Sequence, residues 1–180
     1  MNLRPLDLLT TATFSALTAI GALLFVPLYP VPITLQTLFT YLSGAVLGPW
    51  LGALSQIIYI ILGGVGLPIF AGGKAGFGTL LGPTGGYLFG FIATSFVIGK
   101  TCDLRTRPKA TRIVGSFILG TLVVYAFGIA QLSLWMNGDF QHAILVGVLP
   151  FLVGDAIKIV IGLVVATRLR EMLPRIGLGL

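Results

Sequence analysis

Long apolar runs fill most of this chain, and proline and glycine, rather than charge, cut them into pieces. The first run, about residues 8–27, matches the roughly 20 residues that cross a bilayer core as a helix, and Pro27, Pro30 and Pro32 close it. The second, 34–62, is too long for one span and contains Gly48-Pro49. Proline removes a helical hydrogen bond and pushes the preceding residue out of helical geometry, so this run predicts two short helices, 34–48 and 50–62, joined by a tight turn. Runs at 84–100, 113–135 and 142–168 predict three more spans, the last kinked at Pro150. The pattern is that of an all-α integral membrane protein, one domain over residues 1–180 with six transmembrane helices.

Residues 63–83 interrupt this pattern. Glycines crowd the stretch, together with Pro68 and Pro83, and no regular helix tolerates that composition. Leu67, Ile69, Phe70, Phe77, Leu80 and Leu81 are nevertheless too apolar for a solvated linker. An ordered, partly re-entrant cap against the helix bundle is expected, with Pro83 in the first turn of the next helix and Thr84 as its cap.

Composition supports a membrane protein. With 56% hydrophobic residues, 9% charged residues and a mean hydropathy of +1.04, the chain is far from a soluble domain, in which about a quarter of residues are charged. The net charge of +6 comes from Lys and Arg clustered beside apolar runs, which marks cytoplasmic loops beside a lipid bilayer and gives no reason to expect a nucleic-acid partner. Arg4 ahead of the first run has the look of a signal peptide, but further spans follow at once, so a retained first helix is expected. With the amino terminus inside, Arg4, Lys100, Arg105, Arg107, Lys109, Arg112, Arg168, Arg170 and Arg175 all fall on the inner side, and Lys74 alone falls outside. Both termini are therefore expected in the cytoplasm, with the glycine-rich loop facing outward.

Several chemistries find no support. Gly99-Lys100-Thr101 resembles the end of a phosphate-binding loop, but Thr94 stands where its first glycine belongs and no strand precedes it. The stretch Gly76-Phe77-Gly78-Thr79-Leu80-Leu81-Gly82 lacks the third glycine of a dinucleotide fingerprint. His142 is the only histidine and is expected to cap or flank the last helix; with no second histidine, no metal site is expected. Cys102, the only cysteine, excludes an internal disulfide and reads as an unremarkable loop thiol. No base is placed to activate a nucleophile.

Polar groups inside the apolar runs are more informative. Gln36, Tyr41, Gln56 and Tyr59 carry groups that hydrocarbon cannot satisfy, which suits either an inward cavity or hydrogen bonds between helices. Ala12, Ala16 and Ala19 recur at helical spacing, a smooth face suited to a second subunit or to a neighbouring helix. Most costly are Asp155 and Lys158, one helical turn apart within an apolar run. A charge at the centre of a bilayer costs about 2.5–3.5 kcal/mol even on the lenient insertion scale, so both must face inward, toward each other as structural glue or toward a ligand. The glycine-rich loop above them favours a binding pocket. An intramembrane enzyme with Asp155 as base, or a proton-coupled carrier in which Asp155 titrates, are the rival readings.

The runs Val31-Pro32-Ile33-Thr34-Leu35-Gln36-Thr37, Gly66-Leu67-Pro68-Ile69-Phe70-Ala71-Gly72-Gly73, Gly82-Pro83-Thr84-Gly85-Gly86-Tyr87 and Gly154-Asp155-Ala156-Ile157-Lys158 carry a resemblance. In order and spacing, over nearly the whole chain, they resemble the BioY family, the biotin-specific S components of energy-coupling factor (ECF) importers. The resemblance implies a six-helix S-component fold in the bacterial inner membrane and a vitamin pocket near the outer face. It also implies biotin as the transported ligand, no cofactor, no catalysis, and work with a transmembrane T component and two cytoplasmic ATPase subunits. An S component for another vitamin is the alternative within that fold.

Biotin's ureido ring offers N–H donors and a carbonyl acceptor, which match a carboxylate that only accepts and an ammonium that only donates. Asp155 and Lys158 are thus expected at the ligand, with Gln36 nearby. Tyr41, Tyr87 and Trp135 are candidate walls for the ring, Trp135 serving otherwise as an interfacial belt residue. Backbone N–H groups around Gly72 and Gly73, with Lys74 adding charge, are candidates for the valerate carboxylate. Ala12 and Ala16 match the Ala-x-x-x-Ala pattern through which S components dock on their T subunit.

Overall fold

The computed structural model describes residues 4–102 and 109–172. Arg105, Arg107 and Arg175, three of the basic residues behind the expected orientation, lie outside the described residues. The fold is almost entirely helical, and four stretches (Pro5–Leu23, Gln36–Gly64, Ala110–Trp135 and Phe140–Met172) are long and apolar enough to cross a membrane. The protein is a multi-pass membrane protein.

Helix α1 (Pro5–Leu23) ends four residues before Pro27, because Phe25–Val26 (β1) is drawn into a short antiparallel pairing with Ile33–Thr34 (β2). Helix α2 (Gln36–Gly64) reverses direction at Gly48, whose φ of 81° an L side chain rarely adopts. Its two halves then run antiparallel. Gln36 bonds Tyr59, Thr40 bonds Gln56, and Gly52 packs so closely that a Cβ there would lie 3.0 Å from the Cα of Gly44. The Gly48-Pro49 turn is where the sequence puts it.

The glycine-rich stretch is ordered. It holds a tight turn at Ala71–Gly73 and a short helix, α3 (Phe77–Leu81), which the sequence did not suggest. Phe70 anchors it, fully buried and edge-on to Tyr59. Helix α4 (Gly85–Thr101) follows, and Thr84 precedes it without the side-chain capping bond expected of it. Helix α5 (Ala110–Trp135) begins three residues earlier than expected.

The last apolar run departs most from its expectation. It is two helices, α6 (Phe140–Gly147) and α7 (Leu152–Met172), separated by a tight turn at Leu149–Phe151 around Pro150. Asp139 caps α6 by accepting the backbone N–H of His142 at 2.9 Å. Cys102 also differs from expectation: it is fully buried at the end of α4, where burial pushes its thiol pKa upward.

Side chains sort in the inverse of a soluble protein. On α7, Val153, Ile157, Val160, Ile161 and Val164 form an exposed apolar stripe, while Asp155, Lys158, Gly162 and Ala166 face inward. Thr18, Thr40, Ser43, Ser55, Gln56, Thr94 and Ser95 are fully buried. Their hydroxyls and amide pair with one another and with backbone carbonyls, including Ser43 with Ser95 at 2.9 Å and Gln56 with Thr18 at 3.2 Å. This is how polar groups survive in hydrocarbon, and it packs α2 against α1 and α4.

Candidate functional site

Pro150 sets up the site. The break it causes starts α7 only a few residues before Asp155, so the carboxylate sits in the first turn, where the helix dipole favours negative charge. Lys158 follows one turn later. Its Nζ lies 2.8 Å from Asp155 Oδ1 and 3.0 Å from Thr37 Oγ1 on α2. The other carboxylate oxygen, Oδ2, accepts the hydroxyl of Tyr125 on α5 at 2.5 Å. Both charged side chains are about 95% shielded (5% and 6% exposed), so each depends on these partners.

The donor and acceptor count matters. An ammonium has three N–H bonds and Lys158 spends two; a carboxylate has about four acceptor positions and Asp155 has filled one on each oxygen. The pair is held in place yet keeps one donor and two acceptor positions.

Above the pair opens a cavity whose empty space, open mouth included, is about 640 Å³. Asp155 and Lys158 line it together with Thr37 and Tyr125. Val31, Pro32, Thr34 and Gln36, Tyr87, Leu88, Phe91 and Val124, and Phe70, Ala71 and Lys74 of the glycine-rich stretch also line it. The walls are mainly apolar, with polar groups at a few points.

The sequence-predicted site residues divide into two groups. Gln36, Lys74, Tyr87, Asp155 and Lys158 all line this cavity. Tyr87 offers its ring only, because its hydroxyl donates to Gly147 O at 2.9 Å and ties α4 to the end of α6. Lys74 is exposed and makes no ion pair among the described residues.

Tyr41, Trp135, Gly72 and Gly73 are not in the cavity wall. Tyr41 is fully buried, stacked on Phe117 and bonded to Thr121 at 2.7 Å, so its polar group joins helices. Trp135 is exposed and donates from Nε1 to Leu81 O at 2.8 Å. Beside it Gln131 Nε2 donates to Leu80 O and Gly82 O at 2.8 and 2.6 Å, so the two residues clamp the end of α3. Gly72 and Gly73 take φ of 73° and 72° in the turn that brings Lys74 back to Phe70, and the N–H of Gly73 is already spent on Phe70 O. Ala12 and Ala16 do not line the cavity; both are exposed on α1, while Ala19 packs partly into the core.

Thr37 and Tyr125 were missed by sequence reasoning. A signal existed for each: Thr37 follows Gln36 directly, and Tyr125 is a phenol placed one turn after Thr121 within an otherwise apolar span, where a polar group needs a partner.

Comparison with known proteins gives the family and the fold. A model of the BioY family matches residues 1–175. The chain is 41% identical over 166 residues to the biotin transporter BioY of Thermotoga maritima, covering 92% of this chain and 96% of that one. It is 42% identical over 159 residues to a probable biotin transporter BioY of Pyrococcus horikoshii, covering 88% and 93%. Its structure superposes with a TM-score of 0.84 and 31% identity on the crystal structure of the S-component for biotin from an ECF-type ABC transporter, covering 92% of this chain and 90% of that one. The protein belongs to the BioY family.

Proposed function

We propose that the protein is the biotin-binding subunit of an ECF-type importer and does no chemistry on its ligand. The observation that carries this reading is the held Asp155–Lys158 pair at the polar end of an otherwise apolar cavity. An N–H of the ureido ring would fill a free acceptor position on Asp155, and the ring carbonyl would take the third N–H of Lys158. Because both charges keep their present partners, binding does not leave a buried charge alone.

Tyr87 and Phe91 would flank the bicyclic ring, with Gln36 at its edge; Tyr41 contributes from behind by holding α2 against α5. The valerate carboxylate would reach the mouth, where Lys74 makes no ion pair among the described residues and Gly72 and Gly73 permit the turn that brings it there. The reading extends to assembly. The arrangement is six spans in the bacterial inner membrane with cytoplasmic termini and an outward glycine-rich loop, the orientation supported by the one-sided distribution of Lys and Arg. The exposed Ala12 and Ala16 supply a flat strip on α1 for the T component, with two ATPase subunits below it.

Mass spectrometry of the small molecule that co-purifies with the protein tests the reading. Biotin recovered in near-stoichiometric amount is the expected result; a different vitamin in that position would overturn it.

A further inference from the structure

A chain of hydrogen bonds joins the cavity to the glycine-rich stretch through a residue outside the cavity wall. Thr34 Oγ1 donates to Gln36 Oε1 at 2.9 Å, Gln36 Nε2 donates to Tyr59 OH at 2.6 Å, and Tyr59 OH donates to Ile69 O at 3.0 Å. Thr34 and Gln36 line the cavity, and Ile69 directly precedes Phe70 and Ala71 of the glycine-rich stretch, which also line it. Tyr59 itself is fully buried and does not reach the cavity.

The direction of this chain is fixed at one end. A backbone carbonyl only accepts, so the single proton of Tyr59 must go to Ile69 O. The phenol oxygen is then left as an acceptor, and only the amide nitrogen of Gln36 can satisfy it. Gln36 Oε1 must in turn face Thr34. Flipping the amide would set carbonyl against phenol oxygen at 2.6 Å with no proton between them. An amide carries two N–H bonds, and Tyr59 uses one. What remains at Gln36 is one N–H and one lone pair on Oε1, both in a fixed orientation.

We infer that Tyr59 is a positioning residue for ligand binding: it fixes the orientation of the Gln36 amide at the cavity and, through the same hydroxyl, holds the Ile69–Lys74 wall closed over the ligand. This inference rests on the biotin reading above and names what tunes that site. The same phenol also anchors the wall by its ring, which meets Phe70 edge-on at a centroid distance of 5.5 Å, with Phe70 lying against the bare backbone of Gly63.

Tyr59→Phe keeps that ring contact and removes only the hydroxyl. In purified full-length protein loaded with radiolabelled biotin, the variant is expected to release ligand roughly 3–10-fold faster, the effect of about one hydrogen bond. Backbone hydrogen exchange of the peptide covering Ile69–Lys74 is expected to rise at the same time. Thr34→Val breaks the chain at its other end and leaves Ile69 held, so it should speed release without raising exchange in that peptide. Ser95→Ala, which removes an equally buried hydroxyl bonded to Thr40 O and outside the cavity, should change neither. Equal effects of Tyr59→Phe and Ser95→Ala on both readouts, or an unchanged release rate in Tyr59→Phe, would overturn the inference. Failure of the unaltered protein to bind biotin would instead strike the functional reading.

Discussion

The hydroxyl of Tyr125 donates to Oδ2 of Asp155 at 2.5 Å, opposite the ammonium of Lys158 on Oδ1, so the carboxylate is gripped from both sides by groups on two different helices. Tyr125 thereby decides where Asp155 points. Substituting Tyr125→Phe leaves the ring in the cavity wall and frees one oxygen of the carboxylate. Biotin affinity should fall roughly 10-fold or more, since hydrogen bonds to charged groups contribute about 1.5–3 kcal/mol. Isothermal titration calorimetry on the purified variant measures this, with a thermal melt to show that the bundle is intact.

The pair itself makes a prediction about stability. Asp155→Asn or Lys158→Met alone leaves a charge that is almost wholly buried without its opposite; such losses cost about 3–5 kcal/mol. The double variant removes both charges, so it should melt closer to the unaltered protein than either single variant does. All three should lose biotin binding. A double variant that melts below both single variants would show that the charges are not a mutual dependency.

Much of this site could be read before any coordinates. Pro150, Gly48-Pro49 and the spacing of Asp155 and Lys158 act locally, through backbone sterics and helical phase, and those effects are written in adjacent residues. The division of labour among Gln36, Tyr41, Gln56 and Tyr59 could not be read in this way. All four stand on α2, yet their partners are Thr34, Thr121, Thr18 and Ile69, drawn from different parts of the chain. Helical phase alone does not say which neighbour arrives at which face. The short α3 was likewise invisible, since five residues among glycines carry no periodicity, and its place is fixed by Gln131 and Trp135 from α5.

The exposed strip of α1 predicts an assembly phenotype. Ala12→Trp places an indole where two helices must approach closely, so co-purification with the T component should be lost. Ala12 is remote from the cavity lining, so biotin binding by the isolated protein should be retained. Affinity pull-down from membranes, paired with a biotin titration, separates the two effects.

Cys102 offers a probe of the C-terminal end of α4. Burial raises its thiol pKa, so the nucleophilic thiolate is scarcer at any given pH than for a free cysteine. Maleimide labelling of the native protein at neutral pH should be slow and should become fast on unfolding in detergent and denaturant. Fast labelling of the native state would mean that the end of α4 opens readily, against the grip of Arg112 on Thr101 O and Arg170 on Cys102 O at 2.7 and 2.8 Å.

The central claim is that the cavity over Asp155 and Lys158 is a biotin site. Competition binding on the purified protein tests it most directly, with labelled biotin displaced by unlabelled biotin, thiamine or riboflavin. Displacement by biotin alone, abolished in Asp155→Asn, is the result expected. Displacement by another vitamin, or biotin binding that survives unchanged in both Asp155→Asn and Lys158→Met, would contradict it.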